Sequence, residues 1–192
     1  MRWKFLFSTA IFFHLGSSLQ FATAQLTGFK QKQIDIQAGL GIFSTLNALF
    51  NEAGVNEVAK SKWTLPPISL SADYGVTDQI SVGLYTCIAR STITVYGDEA
   101  EKDKFTIVGI RGLYHFETIP KADVYAGAML GFLSITAKRE NWVNGGEFKA
   151  TDNGLGYQLI IGGRYRLSEF AGVFAELGYG VAVINLGLNL KF

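Results

Sequence analysis

A strict alternation between large apolar residues and polar or small ones occupies the last nine positions of this 192-residue chain. From Ile184 to Phe192 the even positions carry Ile, Leu or Phe, whereas the odd positions carry Asn, Gly or Lys. A period of two is typical of a β-strand with one apolar and one polar face. Because the strand ends on an aromatic residue with no polar tail, it favours a closed sheet in an apolar medium. We therefore predict that residues 184–192 are the last strand of a transmembrane β-barrel.

The first 24 residues have the features of a removable signal peptide, which leaves residues 25–192 as the predicted barrel domain. Arg2 and Lys4 form a short positive region, an apolar stretch follows, and Ala22-Thr23-Ala24 provides a small-residue cleavage site. The apolar stretch is too short for a good membrane span, although an uncleaved anchor is the alternative. We therefore expect export and a location in the bacterial outer membrane.

The composition of the remaining chain excludes several function classes. It carries 15 basic and 16 acidic residues, so no charge imbalance indicates a nucleic-acid partner. Cys87 is the one cysteine, which excludes an internal disulfide, and with His115 as the one remaining histidine it makes no plausible metal site. No glycine-rich stretch leads into a helix with a Lys-Ser or Lys-Thr pair. We expect no cofactor.

Eight segments with the length of a tilted spanning strand follow the leader. The predicted strands cover residues 33–43, 64–74, 79–90, 105–116, 123–137, 155–167, 172–180 and 184–192. Most of them alternate, but the fifth has an ambiguous phase because both faces carry apolar or small residues. The pattern predicts an all-β fold, an antiparallel up-and-down eight-stranded transmembrane β-barrel. The alternative is a soluble β-sandwich with one solvated face.

The lengths of the connections alternate and predict an orientation. Short turns follow the second, fourth and sixth strands, whereas the connections at 44–63, 91–104 and 138–154 are longer. Outer-membrane barrels keep short turns in the periplasm and long loops outside, so both chain ends are predicted to be periplasmic. The apolar spacing within 44–63 predicts either a short amphipathic helix or an irregular loop. Trp142 either contacts a partner or packs against its own loop or the interface.

Charged residues fall opposite the apolar rows of the predicted strands. An eight-stranded barrel is narrow and filled by side chains, and buried charges need partners. We therefore predict a lumen charge network made of Asp35, Asp73, Arg111, Arg164, Arg166, Glu176 and Lys191. Chain topology predicts two pairs within it: Arg164 with Glu176 across a hairpin, and Asp35 with Lys191 where the first and last strands meet.

Three stretches carry a resemblance to a known group: the leader ending Ala22-Thr23-Ala24-Gln25, the hairpin over 69–83, and the terminal Asn189-Leu190-Lys191-Phe192. The chain resembles the small eight-stranded outer-membrane β-barrel proteins of the OmpX/OmpA-barrel-like superfamily, and in particular the outer membrane β-barrel domain proteins of Bacteroidetes-type bacteria. The resemblance implies that Phe192 is an assembly signal read by the barrel-assembly machinery. It also implies contact with outer-membrane lipids and lipopolysaccharide.

Members of that group include adhesion, porin-like and structural proteins, so the resemblance indicates a location more than a role. Our leading hypothesis is a monomeric outer-membrane protein with a structural or interaction role and no enzymatic activity. A narrow conduit for small solutes or ions is the alternative, and a lipid A-modifying enzyme is the third. The third hypothesis needs a Ser/His/acid set near the outer leaflet, but His115 is predicted beside a periplasmic turn, with no serine or acid evidently placed next to it.

Overall fold

The computed structural model describes residues 29–43, 59–95, 98–116, 121–140, 147–180 and 182–192. Its described part contains eight strands and no helix: β1 (Ile34–Phe43), β2 (Ala59–Gly75), β3 (Ile80–Val95), β4 (Asp98–Phe116), β5 (Ala122–Glu140), β6 (Glu147–Arg166), β7 (Ala171–Tyr179) and β8 (Ile184–Lys191). No helix in these ranges is long and apolar enough to cross a membrane. The predicted signal peptide, the apolar spacing within residues 44–58 and Trp142 all lie outside the described residues.

Each strand pairs with its sequence neighbours in antiparallel fashion, and β1 pairs with β8, which closes the sheet into a barrel. The closing register runs from Asp35 opposite Lys191 to Gly41 opposite Asn185, and after a bulge Phe43 lies opposite Ile184. Backbone bonds between Ile34 and Phe192, at 3.0 and 2.8 Å, extend this seam by one more pair. The predicted fold class is confirmed. Closure leaves the ladder without the unpaired edge that an open sheet would present to lipid.

Large apolar side chains cover the outer wall of the barrel. The alternation in each strand sends every second residue outward, and the exposed members on successive strands include Leu40, Leu70, Leu84, Ile110, Leu130, Leu159, Leu177 and Leu188. A soluble sandwich would bury these rows, so that alternative is wrong. An apolar outer band is what a lipid medium requires of a spanning barrel.

The phase of the fifth strand, which the sequence left open, is fixed by its pairing with β4 and β6. Val124, Leu130 and Phe132 are exposed on the outer wall, whereas Tyr125 and Met129 are buried in the lumen. Alanine and glycine separate these residues on both faces. The apolar periodicity of the strand is therefore weak, and neighbouring strands determine its orientation.

Five strands are longer than the sequence pattern predicted. Strands β2 to β6 have 16 to 20 residues, whereas β1, β7 and β8 have 8 to 10. The predicted long loop at 91–104 is wrong, because β3 and β4 remain paired as far as Val95 and Asp98. Polar β-branched residues such as Thr92 and Thr94 continue the strand beyond the apolar band, and their high β-propensity favours this.

The parts of β2 to β6 that continue past the short strands form a sheet that we call the five-strand extension. It comprises residues 59–65, 90–95, 98–104, 134–140 and 147–154. The extension lies at the end of the barrel that is opposite to the start of β1, the end of β8 and the short turns. In the predicted orientation this is the external side of the membrane.

Candidate functional site

Arg111 lies at the centre of the polar groups that fill the half of the lumen next to the short turns. Its guanidinium is buried, and its Nε donates to Asp73 Oδ1 at 2.6 Å. Its Nη1 donates to Glu176 Oε1 at 3.1 Å, and its Nη2 donates to Asp73 Oδ2 and to the amide oxygen of Gln37. Charge-assisted hydrogen bonds of this kind are stronger than neutral ones. One arginine thus joins strands β1, β2 and β7 to its own strand β4 across the lumen.

A second buried arginine, Arg164 on β6, is surrounded by aspartates. Its Nη2 lies 3.0 Å from Asp73 Oδ2, and its Nη1 lies 3.3 Å from Asp35 Oδ2 and from Asp123 Oδ2. Its guanidinium carbon is 4.5 Å from the centre of the Tyr125 ring, which adds a cation–π contact. Asp73 binds both arginines and links the two halves of the network.

The predicted pair between Arg164 and Glu176 is wrong. In the β6–β7 register Glu176 lies opposite Gly162, while Arg164 lies opposite Phe174. Glu176 instead accepts hydrogen bonds from Arg111, from the Tyr125 hydroxyl at 2.9 Å and from the Asn185 amide at 3.3 Å. The ion pair of Glu176 therefore runs across the lumen, from β7 to β4, and not along the β6–β7 hairpin.

Lys191 and Arg166 occupy the rim of the same inner face at the end of the barrel that carries the short turns. Lys191 lies opposite Asp35 in the closing register, as predicted, but the ion pair of Asp35 is with Arg164. Arg166 and Lys191 are half-buried, and both are attracted electrostatically by Asp35 and Asp123. With Arg166 and Lys191 included, the network contains as many basic side chains as carboxylates. The basic side chains are Arg111, Arg164, Arg166 and Lys191, and the carboxylates are those of Asp35, Asp73, Asp123 and Glu176.

Several members of the network were missed by the sequence prediction. Asp123 and Tyr125 belong to the fifth strand, whose uncertain phase hid their inward direction. Gln37 and Asn185 are inward residues of strands that were assigned correctly, but as neutral groups they were not included in the predicted charge network. Residues that lie an even number of positions apart in a strand share a face, and this rule identifies all four as inward residues. Among the described residues, no group of three or more His, Cys, Asp or Glu side chains is arranged to hold a metal ion.

His115 has two polar partners, contrary to the expectation that no serine or acid lies beside it. Its Nε2 is 2.8 Å from Ser81 Oγ, and its Nδ1 is 3.0 Å from both carboxylate oxygens of Asp123. The Phe29 ring stacks on the imidazole with the ring centres 3.7 Å apart, and all four side chains are buried. The serine was missed because it belongs to the neighbouring strand β3, and strand pairing brings it to His115.

Residues 29–33, which precede β1, hold Phe29 against the end of the lumen that lies next to the short turns. Lys32 N donates to Gly75 O at 2.8 Å, and the backbone N of Gln31 donates to Asp78 Oδ1 at 2.9 Å. Lys32 adopts a positive φ of 66°, which turns the chain back under the barrel. These contacts fasten the segment to the β2–β3 turn, so that Phe29 covers His115 from the end of the barrel that carries the short turns.

An apolar cluster fills the lumen around the charged groups and between them and the five-strand extension. Its buried members are Tyr85, Cys87, Ile107, Leu113, Tyr125, Met129 and Ile160, with Leu133 packed against them. Cys87 points inward, as expected, and is a free thiol. The charged network and the apolar cluster together occupy the cross-section of the barrel, as expected for eight strands.

Gly162 makes room for the Tyr125 ring, and this close approach provides a test of the packing. A Cβ at position 162 would lie 2.6 Å from two ring carbons of Tyr125, whereas a Cβ at Gly112 would meet nothing within 4 Å. We expect Gly162→Ala to lower the free energy of unfolding by about 1–3 kcal/mol through overpacking. Gly112→Ala is the matched control and should not destabilise the barrel. Equal destabilisation of the two variants in urea would contradict the packing described.

Comparisons with known proteins were made by sequence and by structure. No protein-family model matches the chain, and no curated protein is similar to it. Solved structures do match. The outer membrane protein OprG from Pseudomonas aeruginosa has a TM-score of 0.54 and 13% identity, over 86% of this chain and 98% of that one.

Two further barrels give similar values. The attachment invasion locus protein Ail of Yersinia pestis, in complex with the heparin analogue sucrose octasulfate, has a TM-score of 0.53 and 15% identity, over 84% of this chain and 99% of Ail. The N-terminal β-barrel domain of Pseudomonas aeruginosa OprF has a TM-score of 0.50 and 14% identity, over 84% and 98%. At these identities the likeness concerns the fold alone.

Proposed function

Because the chain has the fold of the small eight-stranded outer-membrane β-barrels, we propose that it is a bacterial outer-membrane protein with a structural or interaction role and no enzymatic activity. In this proposal the barrel is an anchor, and the five-strand extension is the part that meets other molecules outside the cell. Ail, which has the same fold, has been solved with a bound heparin analogue, so such a barrel is compatible with binding an external ligand.

One observation carries the proposal: the lumen is filled while the extension is exposed. Arg111, Tyr125 and Met129, on neighbouring strands, are almost completely buried inside the barrel. A conduit needs an open path between side chains, and the packing of these groups opposes one. The extension, in contrast, continues five paired strands beyond the apolar band, and its outer face carries the exposed side chains of Lys102, Lys104 and Lys138. The interaction role therefore has stronger support than the conduit alternative.

A hydrolase is a second candidate, because Ser81, His115 and Asp123 share the hydrogen-bond order of a serine nucleophile, its base and an orienting acid. We rank it below the interaction role for two reasons. The Ser81 side chain is completely buried, and Phe29 covers the imidazole. The set also lies at the periplasmic end, far from the outer leaflet. We expect Ser81 to stay unlabelled by a fluorophosphonate probe, and labelling that disappears in Ser81→Ala would favour the hydrolase.

Cysteine labelling in intact cells tests the proposed location and orientation. Ala150 is exposed in the extension and Glu169 is exposed in a turn at the opposite end, while the native Cys87 is buried. A membrane-impermeant maleimide should modify Ala150→Cys in intact cells and leave the wild type unmodified. The matched control Glu169→Cys should react only after the outer membrane is permeabilised. Labelling of Glu169→Cys alone in intact cells would show the reverse orientation.

A further inference from the structure

Residues 29–33, which we call the strap, cross the end of the lumen next to the short turns and are attached there by few hydrogen bonds. Lys32 N donates to Gly75 O at 2.8 Å, and Gly75 N donates to Gln33 O at 2.9 Å. Gln31 adds two bonds to the β2–β3 turn, at 2.9 and 3.0 Å. A strand inside the barrel has a ladder on both sides, whereas these bonds all go to the end of β2 and the turn after it. Segments attached in this way open locally at a lower free energy than the whole fold.

Phe29 is the part of the strap that enters the lumen. Lys30, Gln31 and Lys32 are exposed to solvent, whereas Phe29 is buried. Its ring lies parallel to the His115 imidazole, with 5° between the planes and 3.7 Å between the ring centres. One buried aromatic contact therefore adds to the few backbone bonds that hold the strap closed.

The orientation of the imidazole is fixed by hydrogen bonds on both of its nitrogens. Ser81 Oγ on β3 lies 2.8 Å from Nε2, and the Asp123 carboxylate on β5 lies 3.0 Å from Nδ1. Because these partners belong to the strands on either side of β4, the ring cannot turn without losing one of them. The plane of His115 is thus held in the position that the parallel Phe29 ring requires.

Close contact between the strap and the barrel depends on Gly75. A Cβ at this position would lie 2.4 Å from Lys30 O and 3.0 Å from Phe29 Cζ. The first of these atoms belongs to the backbone, so a side chain here would push the strap away from the turn. A substitution at Gly75 therefore opens the strap without changing Phe29 or His115.

We propose that the strap is a conformational device that opens and closes the short-turn end of the lumen while the barrel stays folded, and that the Ser81–His115–Asp123 set is the seat on which Phe29 closes. In the closed state the Phe29 ring excludes water from the imidazole and from the Asp123 carboxylate, which also pairs with Arg164 at 3.3 Å. In the open state this corner of the charged network is hydrated, and its ion pair weakens because water screens it. The inference goes beyond the proposed anchoring role and gives the set a role that needs no chemistry at the serine.

Modification of His115 by diethyl pyrocarbonate, measured by peptide mapping of the full chain folded in detergent micelles, reports how often the strap opens. Phe29→Ala removes the ring, and Gly75→Ala displaces the strap. Each should raise the modification rate at least about tenfold, because the first loses a buried aromatic contact and the second is overpacked. The matched controls are Lys30→Ala, at an exposed position of the strap, and Gly163→Ala, whose added Cβ has one ordinary contact at 3.7 Å. Both should react at the wild-type rate.

The dependence of the wild-type rate on urea separates local opening of the strap from unfolding of the barrel. Below the unfolding transition the rate should stay nearly constant, because opening of the strap exposes little surface. A rate that rises as steeply as the unfolded fraction, or equal rates in the wild type and both strap variants, would overturn the inference.

Two further measurements test whether the set is a seat for Phe29 and not a catalytic site. Ser81→Ala should reduce the upfield shift that the Phe29 ring imposes on the His115 ring protons in NMR spectra, because the imidazole is then free to turn. An unchanged shift would contradict the role of Ser81 in the seat. A fluorophosphonate probe should leave Ser81 unlabelled in Phe29→Ala, where the strap is open, and labelling there would identify the serine as an activated nucleophile and refute the proposed seat.

Discussion

Replacing Arg111 with alanine is expected to lower the free energy of unfolding by about 3–5 kcal/mol, which makes it one of the most destabilising single changes in this barrel. The substitution removes all of the Arg111 donors and leaves Asp73 with Arg164 alone. Glu176 keeps only its neutral donors, Tyr125 and Asn185. Buried carboxylates without their cation carry a large desolvation cost. Equilibrium unfolding in urea, with the protein in lipid vesicles, measures the loss.

Arg139→Ala is the matched control for this prediction. Arg139 also forms an ion pair, with Glu101, but its side chain is 66% exposed and water screens the interaction. Its removal should cost at most about 1 kcal/mol. Adding Glu176→Gln to Arg111→Ala should recover part of the loss, because Glu176 then no longer carries an unpaired buried charge, while Asp73 keeps its ion pair with Arg164. If Arg111→Ala unfolds at the same urea concentration as Arg139→Ala, the lumen network does not stabilise the barrel as described.

Placing an arginine on the outer wall is expected to destabilise the barrel nearly as much as removing Arg111 from the lumen. Ile110 lies near the middle of the outward row of β4, between Leu84 and Leu130 on the neighbouring strands, and is 61% exposed. We expect Ile110→Arg to lower the free energy of unfolding in lipid vesicles by about 2–4 kcal/mol, because a charge at the bilayer midplane is poorly solvated. The same urea titration measures it.

Phe170→Arg supplies the comparison at a position of similar exposure, 64%, in the turn between β6 and β7. Near the membrane surface the charged head reaches water, so the cost should be about 0–1 kcal/mol. Equal stability of the two variants in vesicles would show that the outer rows do not face lipid.

The direction of most side chains could be predicted from the sequence because a strand has a fixed period of two. Arg111, His115 and Glu176 each follow from the apolar residues beside them, and the structure places all three in the lumen. The closing register between β1 and β8 follows in the same way, because both chain ends must meet. The period of two is a local property that tertiary packing leaves unchanged, whereas the meeting of the first and last strands follows from closure of the barrel.

The partners of the inward residues could not be predicted, because they depend on how the strands shift along one another when the barrel closes. Arg111 on β4 reaches Glu176 on β7, which is not a neighbouring strand. The triple contact among Ser81, His115 and Asp123 likewise needs the β3–β4 and β4–β5 registers together. Sequence alternation alone fixes neither register.

The five-strand extension could not be predicted for a different reason. Beyond the apolar band the outward residues of a strand are polar, so the alternation of apolar and polar residues that marks a spanning strand ends at Ile88 on β3 and near Val108 on β4. The ladder nevertheless continues, because backbone pairing and β-branched residues such as Thr92 and Thr94 sustain it.

The conductance of the wild-type barrel in planar lipid bilayers tests directly whether the lumen is closed. We expect the barrel to anchor the five-strand extension and to conduct no ions, because an interlocking charged network and an apolar cluster fill the lumen. With insertion verified by protection from added protease, the membrane should show no steady current above its baseline under an applied voltage. A stable, reproducible open channel would contradict the filled lumen and support the conduit alternative.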